Sequence, residues 1–276
     1  MRVAAIQMTS GADVDKNLSN SEKLIRSAAE QGATFIATPE VTDQIIAGRA
    51  EKIPQHYKQE EHPALLFFSD LAKELEVTLL LGSACIKLSD QKLANRSFLF
   101  LPNGELKATY DKIHLYDVDL PTGESHKESN SFEPGKQLVL ADLLDFKLGM
   151  TICYDMRFPH LFRDLAKAGA EIITVPSAFT VPTGRAHWLS LLRSRAIETG
   201  CFIIAPAQVG DHEGARVTYG HSIIISPWGD VMAEASEDRP EFIIADLDLS
   251  LVSKSRQAIP SLQHDREYLE ILTNSE

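Results

Sequence analysis

Gly32-Ala-Thr-Phe-Ile-Ala-Thr-Pro-Glu40 is echoed 137 residues later by Gly169-Ala-Glu-Ile-Ile-Thr-Val-Pro-Ser177. Each stretch opens on a glycine where a helix C-terminus favours one, runs through a short apolar strand pattern, and breaks at a proline. Each is also preceded by an amphipathic run. Residues 17–31 place Leu18, Ile25 and Ala29 on one face, and residues 158–168 do the same with Leu161, Phe162, Leu165 and Ala166. Pro159 suits a first helical turn. Ahead of each predicted helix lies a strand pattern, Val3-Ala-Ala-Ile-Gln7 in one case and Leu148-Gly-Met-Thr-Ile-Cys153 in the other. The chain therefore reads as a βαβ unit made twice.

A second echo extends the repeat. Ser97-Phe-Leu-Phe-Leu-Pro-Asn-Gly-Glu105 resembles Ser222-Ile-Ile-Ile-Ser-Pro-Trp-Gly-Asp230, and Asn103-Gly104 and Trp228-Gly229 divide strand patterns as hairpin turns do. This pair is offset by 125, so the first half carries 12 extra residues. The polar stretch 42–61 is the expected insertion, as a loop over the active site. Two further helices are predicted over 63–76 and 186–199, the latter ending at Gly200. Two similar sheets, each with helices on one face, must bury their other faces, most simply against each other. The prediction is an α/β fold, a four-layer αββα sandwich with an internal pseudo-twofold repeat. One domain is expected over 1–276, with a weakly periodic tail over about 253–276.

Composition excludes some roles. A formal charge of -12 opposes a nucleic-acid surface, which needs clustered Lys and Arg. No apolar run approaches membrane-spanning length, no leader precedes the first strand pattern, and the expected compartment is the cytoplasm. The cysteines Cys85, Cys153 and Cys201 form no CxxC pair, so neither a disulfide framework nor a zinc knuckle is suggested. Nine histidines include no HExxH, and neither a phosphate loop nor GxSxG is present. No metal and no cofactor are expected.

Three groups stand at strand ends. Cys153 precedes the polar turn Tyr154-Asp-Met-Arg-Phe-Pro159, Glu40 closes the first echoed strand, and Lys112 closes the strand pattern 104–112. A thiol, a carboxylate and an ammonium suffice to cleave an unactivated amide through a thioester. Glu40 can serve as the base if burial raises its pKa toward neutrality. Lys112 and the backbone N–H of Tyr154, at the entry to a helix, are the candidate oxyanion donors. Cys85 and Cys201 lie within apolar runs and read as core residues.

Thr38-Pro-Glu40, Tyr110-Asp-Lys-Ile-His-Leu-Tyr-Asp-Val-Asp119 and Ile152-Cys-Tyr-Asp-Met-Arg-Phe-Pro159 together resemble the nitrilase superfamily of carbon–nitrogen hydrolases, over residues 3–268. The resemblance implies the αββα fold and a triad of Glu40, Lys112 and Cys153. It adds a supporting glutamate, Glu128, in Glu128-Ser-Asn-Ser-Phe-Glu-Pro-Gly135. The segments 176–188, 195–199, 206–210 and 219–222 are most similar to the branch that hydrolyses deaminated glutathione. The implied reaction is cleavage of a small ω-amide to an acid and ammonia. Omega-amidase action on α-ketoglutaramate, or carbamoylase or nitrilase action, are the alternatives. Arg157 and Arg185 are candidates to bind a substrate carboxylate, with Phe179, Thr180 and His187 lining the pocket. The resemblance also implies a homodimer or larger homo-oligomer. Two rival classes are a metal-dependent hydrolase on a similar sandwich and a non-catalytic interaction protein.

Overall fold

The computed structural model describes residues 1–121 and 123–267. The first half runs β1 (Arg2–Gln7), α1 (Val14–Glu30), β2 (Phe35–Ala37), α2 (Pro63–Leu75), β3 (Thr78–Lys87), β4 (Leu93–Phe100) and β5 (Leu106–Asp111). A small ribbon of β6 (Asp117–Asp119) and β7 (Ser125–Lys127) follows. The second half runs β8 (Val139–Asp142), β9 (Lys147–Met150), α3 (Pro159–Lys167), β10 (Ile172–Thr174), α4 (Val181–Thr199) and β11 (Phe202–Ala205). After a second ribbon, β12 (Val209–Asp211) and β13 (Val217–Tyr219), come β14 (Ile223–Ile225), β15 (Val231–Glu234), β16 (Glu241–Asp246) and α5 (Ser250–Ala258).

The repeat seen in the sequence is a repeat in space. One six-stranded sheet has the order β16-β1-β2-β3-β4-β5 and the other β8-β9-β10-β11-β14-β15. In both, the second, third and fourth strands are parallel and the outer pairs are antiparallel. The registers also correspond. Val3, Phe35 and Thr78 align across one sheet, and Leu148, Ile172 and Phe202 across the other. The halves differ at one edge. β8 precedes its neighbour β9, whereas β16 returns from the far end of the chain to cover β1. The Met1 ammonium donates to Leu247 O at 2.9 Å, and Leu247 N donates back to Met1 O at 2.8 Å.

Alternation along β1 creates the layers. Ala4 and Ile6 face α1 and α2, packing with Ile25, Ala28, Phe68 and Leu71. Val3 and Ala5 face the other way, into a larger core shared with Leu148, Met150, Ile172 and Ile203 of the second sheet. That core continues to Leu161, Phe162 and Leu165 on α3 and Trp188 and Leu192 on α4. The order is helices, sheet, sheet, helices.

Helix boundaries shift for local reasons. α1 begins at Val14 rather than 17 because the Asp13 carboxylate caps it, accepting from Lys16 N at 3.0 Å. α4 begins at Val181, five residues before the apolar periodicity, with Pro182 in its first turn. Gly32 and Gly169 follow α1 and α3 at φ 87° and 106°, which a side chain disfavours. The insertion 42–61 is not a solvated flap. It forms two 3₁₀ turns, and its Ile45 and Ile53 join Val41, Cys85, Leu93, Phe132 and Ala178 in a separate apolar cluster. Of the tail, α5 is held where Arg256 donates to Thr199 O and Ala170 O at 3.0 and 2.6 Å. Residues 268–276 lie outside the described residues. No described helix is long and apolar enough to cross a membrane.

Candidate active site

The C-terminal ends of three strands deliver the side chains, two from inside the sheets and one from an edge. Glu40 stands three residues beyond β2, Cys153 three beyond β9, and Lys112 directly after β5. Both turns use a left-handed backbone. Cys153 has φ 50°, and Val41, the residue after Glu40, also has φ 50°. A β-branched residue in this region is strained, so its surroundings must hold it. They do: Val41 N donates to Ser83 Oγ at 2.7 Å, and Cys153 N donates to Pro176 O at 2.9 Å. Behind Glu40 the chain passes so close to β3 that a Cβ on Gly82 would lie 1.9 Å from Thr38 O. Only glycine fits there.

The three side chains line one cavity, and all are nearly excluded from solvent, at 4% (Glu40), 2% (Lys112) and 7% (Cys153) exposure. Lys112 Nζ donates to Glu40 Oε1 at 2.9 Å and to Glu128 Oε1 and Oε2 at 3.0 and 2.8 Å, which occupies all three ammonium protons. Glu40 Oε1 also accepts from Asn95 Nδ2, and Oε2 from Ala178 N, each at 2.9 Å. The Cys153 thiol and the Glu40 carboxylate act on each other's charge within this cavity.

This geometry sets the charges. Burial pushes Glu40 up, but the ammonium of Lys112, then the charge of Arg216 and the bonds to the carboxylate, outweigh it and hold its pKa below the usual value. The expectation of a raised Glu40 is therefore corrected. The carboxylate is ionised and already able to accept a proton. Burial, then the adjacent Glu40 charge, pushes the Cys153 thiol well above its ordinary range, with Lys112 opposing. Burial alone disfavours charged Lys112, yet Glu128, then Glu40, more than compensate and its pKa is raised. The resting set is thiol, carboxylate and ammonium.

Asp155 ties the segments together. Fully buried, it accepts from Tyr110 Oη at 2.7 Å and Ile152 N at 2.9 Å through Oδ2. Through Oδ1 it accepts from His114 N at 3.0 Å and His114 Nδ1 at 2.7 Å. One carboxylate thus joins both flanks of Lys112 to the turn that presents Cys153. Tyr154 N opens a 3₁₀ turn (Cys153–Arg157), not the α-helix expected, because Asp155 closes a tight turn and α3 starts only at Pro159. Its N–H belongs to those that have no acceptor inside a helical turn. Glu128 Oε2 also accepts from Tyr116 N at 2.6 Å.

The other expected residues divide. Tyr154, Phe179 and Thr180 line the cavity. Arg157 does not. Its guanidinium lies over the Tyr154 and Phe179 rings, 5.6 Å from each centroid, and 3.3 Å from His187 Nδ1, so it braces the wall from behind. Arg185 and His187 are exposed and do not line the cavity. With α4 starting at Val181, Thr183 faces inward, and Arg185, two positions on, is turned about 200° away. The sequence reading missed Asn95, Tyr116, Asp155 and Arg216. Tyr116 and Asp155 lay within quoted motifs; Asn95 was detectable as an amide inside the apolar strand pattern of β4. Arg216 sits between β12 and β13 in a stretch with no distinguishing pattern. Among the described residues, no cluster of three His, Cys, Asp or Glu could hold a metal ion.

Residues 2–257 match the model of the carbon–nitrogen hydrolase family. The chain is 42% identical over 270 residues to the deaminated glutathione amidase of Homo sapiens, covering 96% of this chain and 82% of that protein. It is 39% identical over 265 residues to the protein of the same name from Synechocystis, covering 95% and 96%. Among solved structures, the C. elegans NitFhit protein superposes with a TM-score of 0.87 at 34% identity. That match covers 96% of this chain and 65% of the NitFhit chain, just under two thirds of the latter's length. An amidase from Nesterenkonia sp. AN1 superposes with a TM-score of 0.79 at 25% identity, covering 94% and 98%. Its structure records Michael addition of acrylamide at the active site cysteine.

Proposed function

The chain belongs to the carbon–nitrogen hydrolase family, and on that premise we propose that it cleaves the amide of deaminated glutathione, or a closely similar 2-oxo acid amide, through a thioester on Cys153. The observation that carries this reading is the convergence, in one cavity, of the Cys153 thiol and an ionised carboxylate whose position is fixed by Lys112, Asn95 and the Ala178 N–H. A thiol with a raised pKa is a poor nucleophile at rest, so its proton must leave as sulfur attacks. Glu40 takes that proton while the S–C bond forms. The carbonyl oxygen gains negative charge and is held by Tyr154 N–H and by Lys112, which turns one N–H away from Glu128 to reach it. Glu40 then gives the proton to the amide nitrogen as the C–N bond breaks. The amine released is ammonia from a primary amide and the cysteinylglycine amine from deaminated glutathione. Glu40 next deprotonates a water that attacks the thioester carbonyl, and the proton returns to sulfur as the acid departs. Glu128 holds Lys112 throughout.

Omega-amidase action on α-ketoglutaramate uses the same steps, and a substrate panel separates the two. Initial rates are measured with deaminated glutathione, α-ketoglutaramate, a carbamoyl amino acid and a nitrile. The largest kcat/KM is expected for deaminated glutathione, surviving EDTA and abolished by a thiol alkylator. Turnover retained in a folded Cys153→Ala variant refutes the mechanism, and a nitrile as best substrate refutes the substrate class. The protein is further proposed to act in the cytoplasm and, by the same resemblance, as a homodimer or larger homo-oligomer. Light scattering giving the mass of a single chain refutes that assembly.

A further inference from the structure

An anionic amide faces an electrostatic obstacle in this cavity. Lys112 is the nearest cation to the thiol, yet its three N–H groups are taken by two carboxylates, so that trio carries one excess negative charge. The counter-charge for a substrate carboxylate must come from another part of the wall. Two lining residues carry one, Lys127 and Arg216. Lys127 is exposed at the rim and lies 3.4 Å from Asp119. Arg216 is half-buried, and its charge is felt by Glu40 itself.

The support beneath Arg216 is rigid. It lies at the foot of β13, where its own carbonyl accepts from His212 N at 3.0 Å. His212 is buried between the two halves of the molecule. Its Nδ1 lies 2.7 Å from Ser10 O, and its Nε2 lies 2.7 Å from Thr218 Oγ1. The β12–β13 ribbon is further tied to both sides of the cavity. Tyr219 N donates to Phe179 O at 2.9 Å, and Gln208 Nε2, at the base of β12, donates to Glu40 O at 3.1 Å. A guanidinium on such a support presents a planar fork that matches a carboxylate in two parallel bonds.

We infer that Arg216 is the specificity-determining residue that binds the substrate carboxylate distant from the scissile amide, in place of the Arg157 and Arg185 expected from sequence. This rests on the amidase reading of the same cavity and names the substrate class it accepts, amides bearing a carboxylate a few atoms from the reacting carbonyl.

The test compares α-ketoglutaramate with an uncharged amide of equal length. Loss of a charge-assisted bond lowers kcat/KM of Arg216→Gln for the anionic amide on the order of 10- to 100-fold more than for the neutral amide, whose own smaller fall reports the loss of the Arg216 charge from Glu40. Arg216→Lys, which keeps the charge without the fork, falls between, and serves as the second variant should Arg216→Gln fail to fold. The same amides are titrated calorimetrically into Cys153→Ala with and without Arg216→Gln. Equal losses for both amides, or none for the anionic one, overturn the inference while leaving the amidase reading standing. Absence of turnover in the unmodified enzyme, with Arg216-dependent binding of the anionic amide to Cys153→Ala, overturns the amidase reading and supports the inference.

Discussion

Asp155→Asn perturbs the bond set that joins the thiol turn to the lysine segment. The carboxylate accepts four hydrogen bonds, two at each oxygen, and every partner is positioned as a donor. An asparagine offers one accepting oxygen and one donating nitrogen. Its nitrogen must face either the two His114 donors or Tyr110 Oη with Ile152 N. The second arrangement is cheaper, because the Tyr110 hydroxyl can rotate and accept. Ile152 N–H then has no acceptor, which costs about 1–3 kcal/mol in a buried site. The three remaining bonds lose their charge assistance, roughly 0.5–1 kcal/mol each. The total is roughly 2.5–6 kcal/mol, against a typical stability of about 5–15 kcal/mol. Urea unfolding followed by far-UV circular dichroism measures it, provided the slope with denaturant is unchanged. At temperatures where the variant is folded, kcat/KM should also fall by at least about ten-fold, since a small misplacement of reacting groups costs rate steeply. A loss of stability below about 1 kcal/mol would refute the reasoning, because it would mean that the four donors find acceptors elsewhere.

Further outcomes follow from the charges. In Glu40→Gln, amide turnover is lost, yet removing the adjacent negative charge lowers the pKa of Cys153, so the pH midpoint of inactivation by iodoacetamide moves down; an unmoved midpoint contradicts the assigned coupling. Lys112→Met leaves Glu40 and Glu128 buried without their cation and costs about 3–5 kcal/mol in unfolding free energy. Adding Glu128→Gln should restore part of that stability and none of the activity, and a double variant no more stable than the single one counts against the charge argument. Because Glu40 is held low and Cys153 and Lys112 are held high, kcat/KM should stay level from below pH ~4.3 to above pH ~8.5, the ordinary carboxylate and thiol values. A limb near pH 6 to 7 in kcat/KM would instead indicate a histidine base.

The layers were legible because they depend on local signals that the chain states twice, whereas the meeting of Glu40, Lys112 and Cys153 was implied by the resemblance of their motifs. Strand, glycine and proline recur at matching intervals, and each reactive side chain stands just past a strand end. Charge state was not legible. Glu40 is buried as anticipated, but the direction of its shift depends on Lys112, which is 72 positions away in the chain. The sites of substrate recognition were harder still. Arg157 and Arg185 are close to Cys153 and Thr183 in sequence, but ring stacking and helix phase take them out of the cavity. Arg216 has no local signature, and a hairpin anchored through His212 to Ser10 brings it in. The start of α4 was missed for a related reason: its first turn, Val181 to Gly184, serves the cavity wall and lacks the apolar periodicity of the rest.

Strand β1 lies between β2 and β16, so one of its edges waits for residues made more than two hundred positions later. At a synthesis rate of about 5–20 residues per second, that edge stays unpaired for on the order of tens of seconds on the ribosome. A nascent chain in this state offers an open template for pairing with a neighbour. Completion of the first sheet therefore waits for synthesis of the second half, however early its helices form. The protein made as two separate fragments, cut before β16, leaves its amino-terminal piece with the same bare edge permanently. Such a piece should aggregate or recruit chaperones until the carboxy-terminal fragment is supplied in trans.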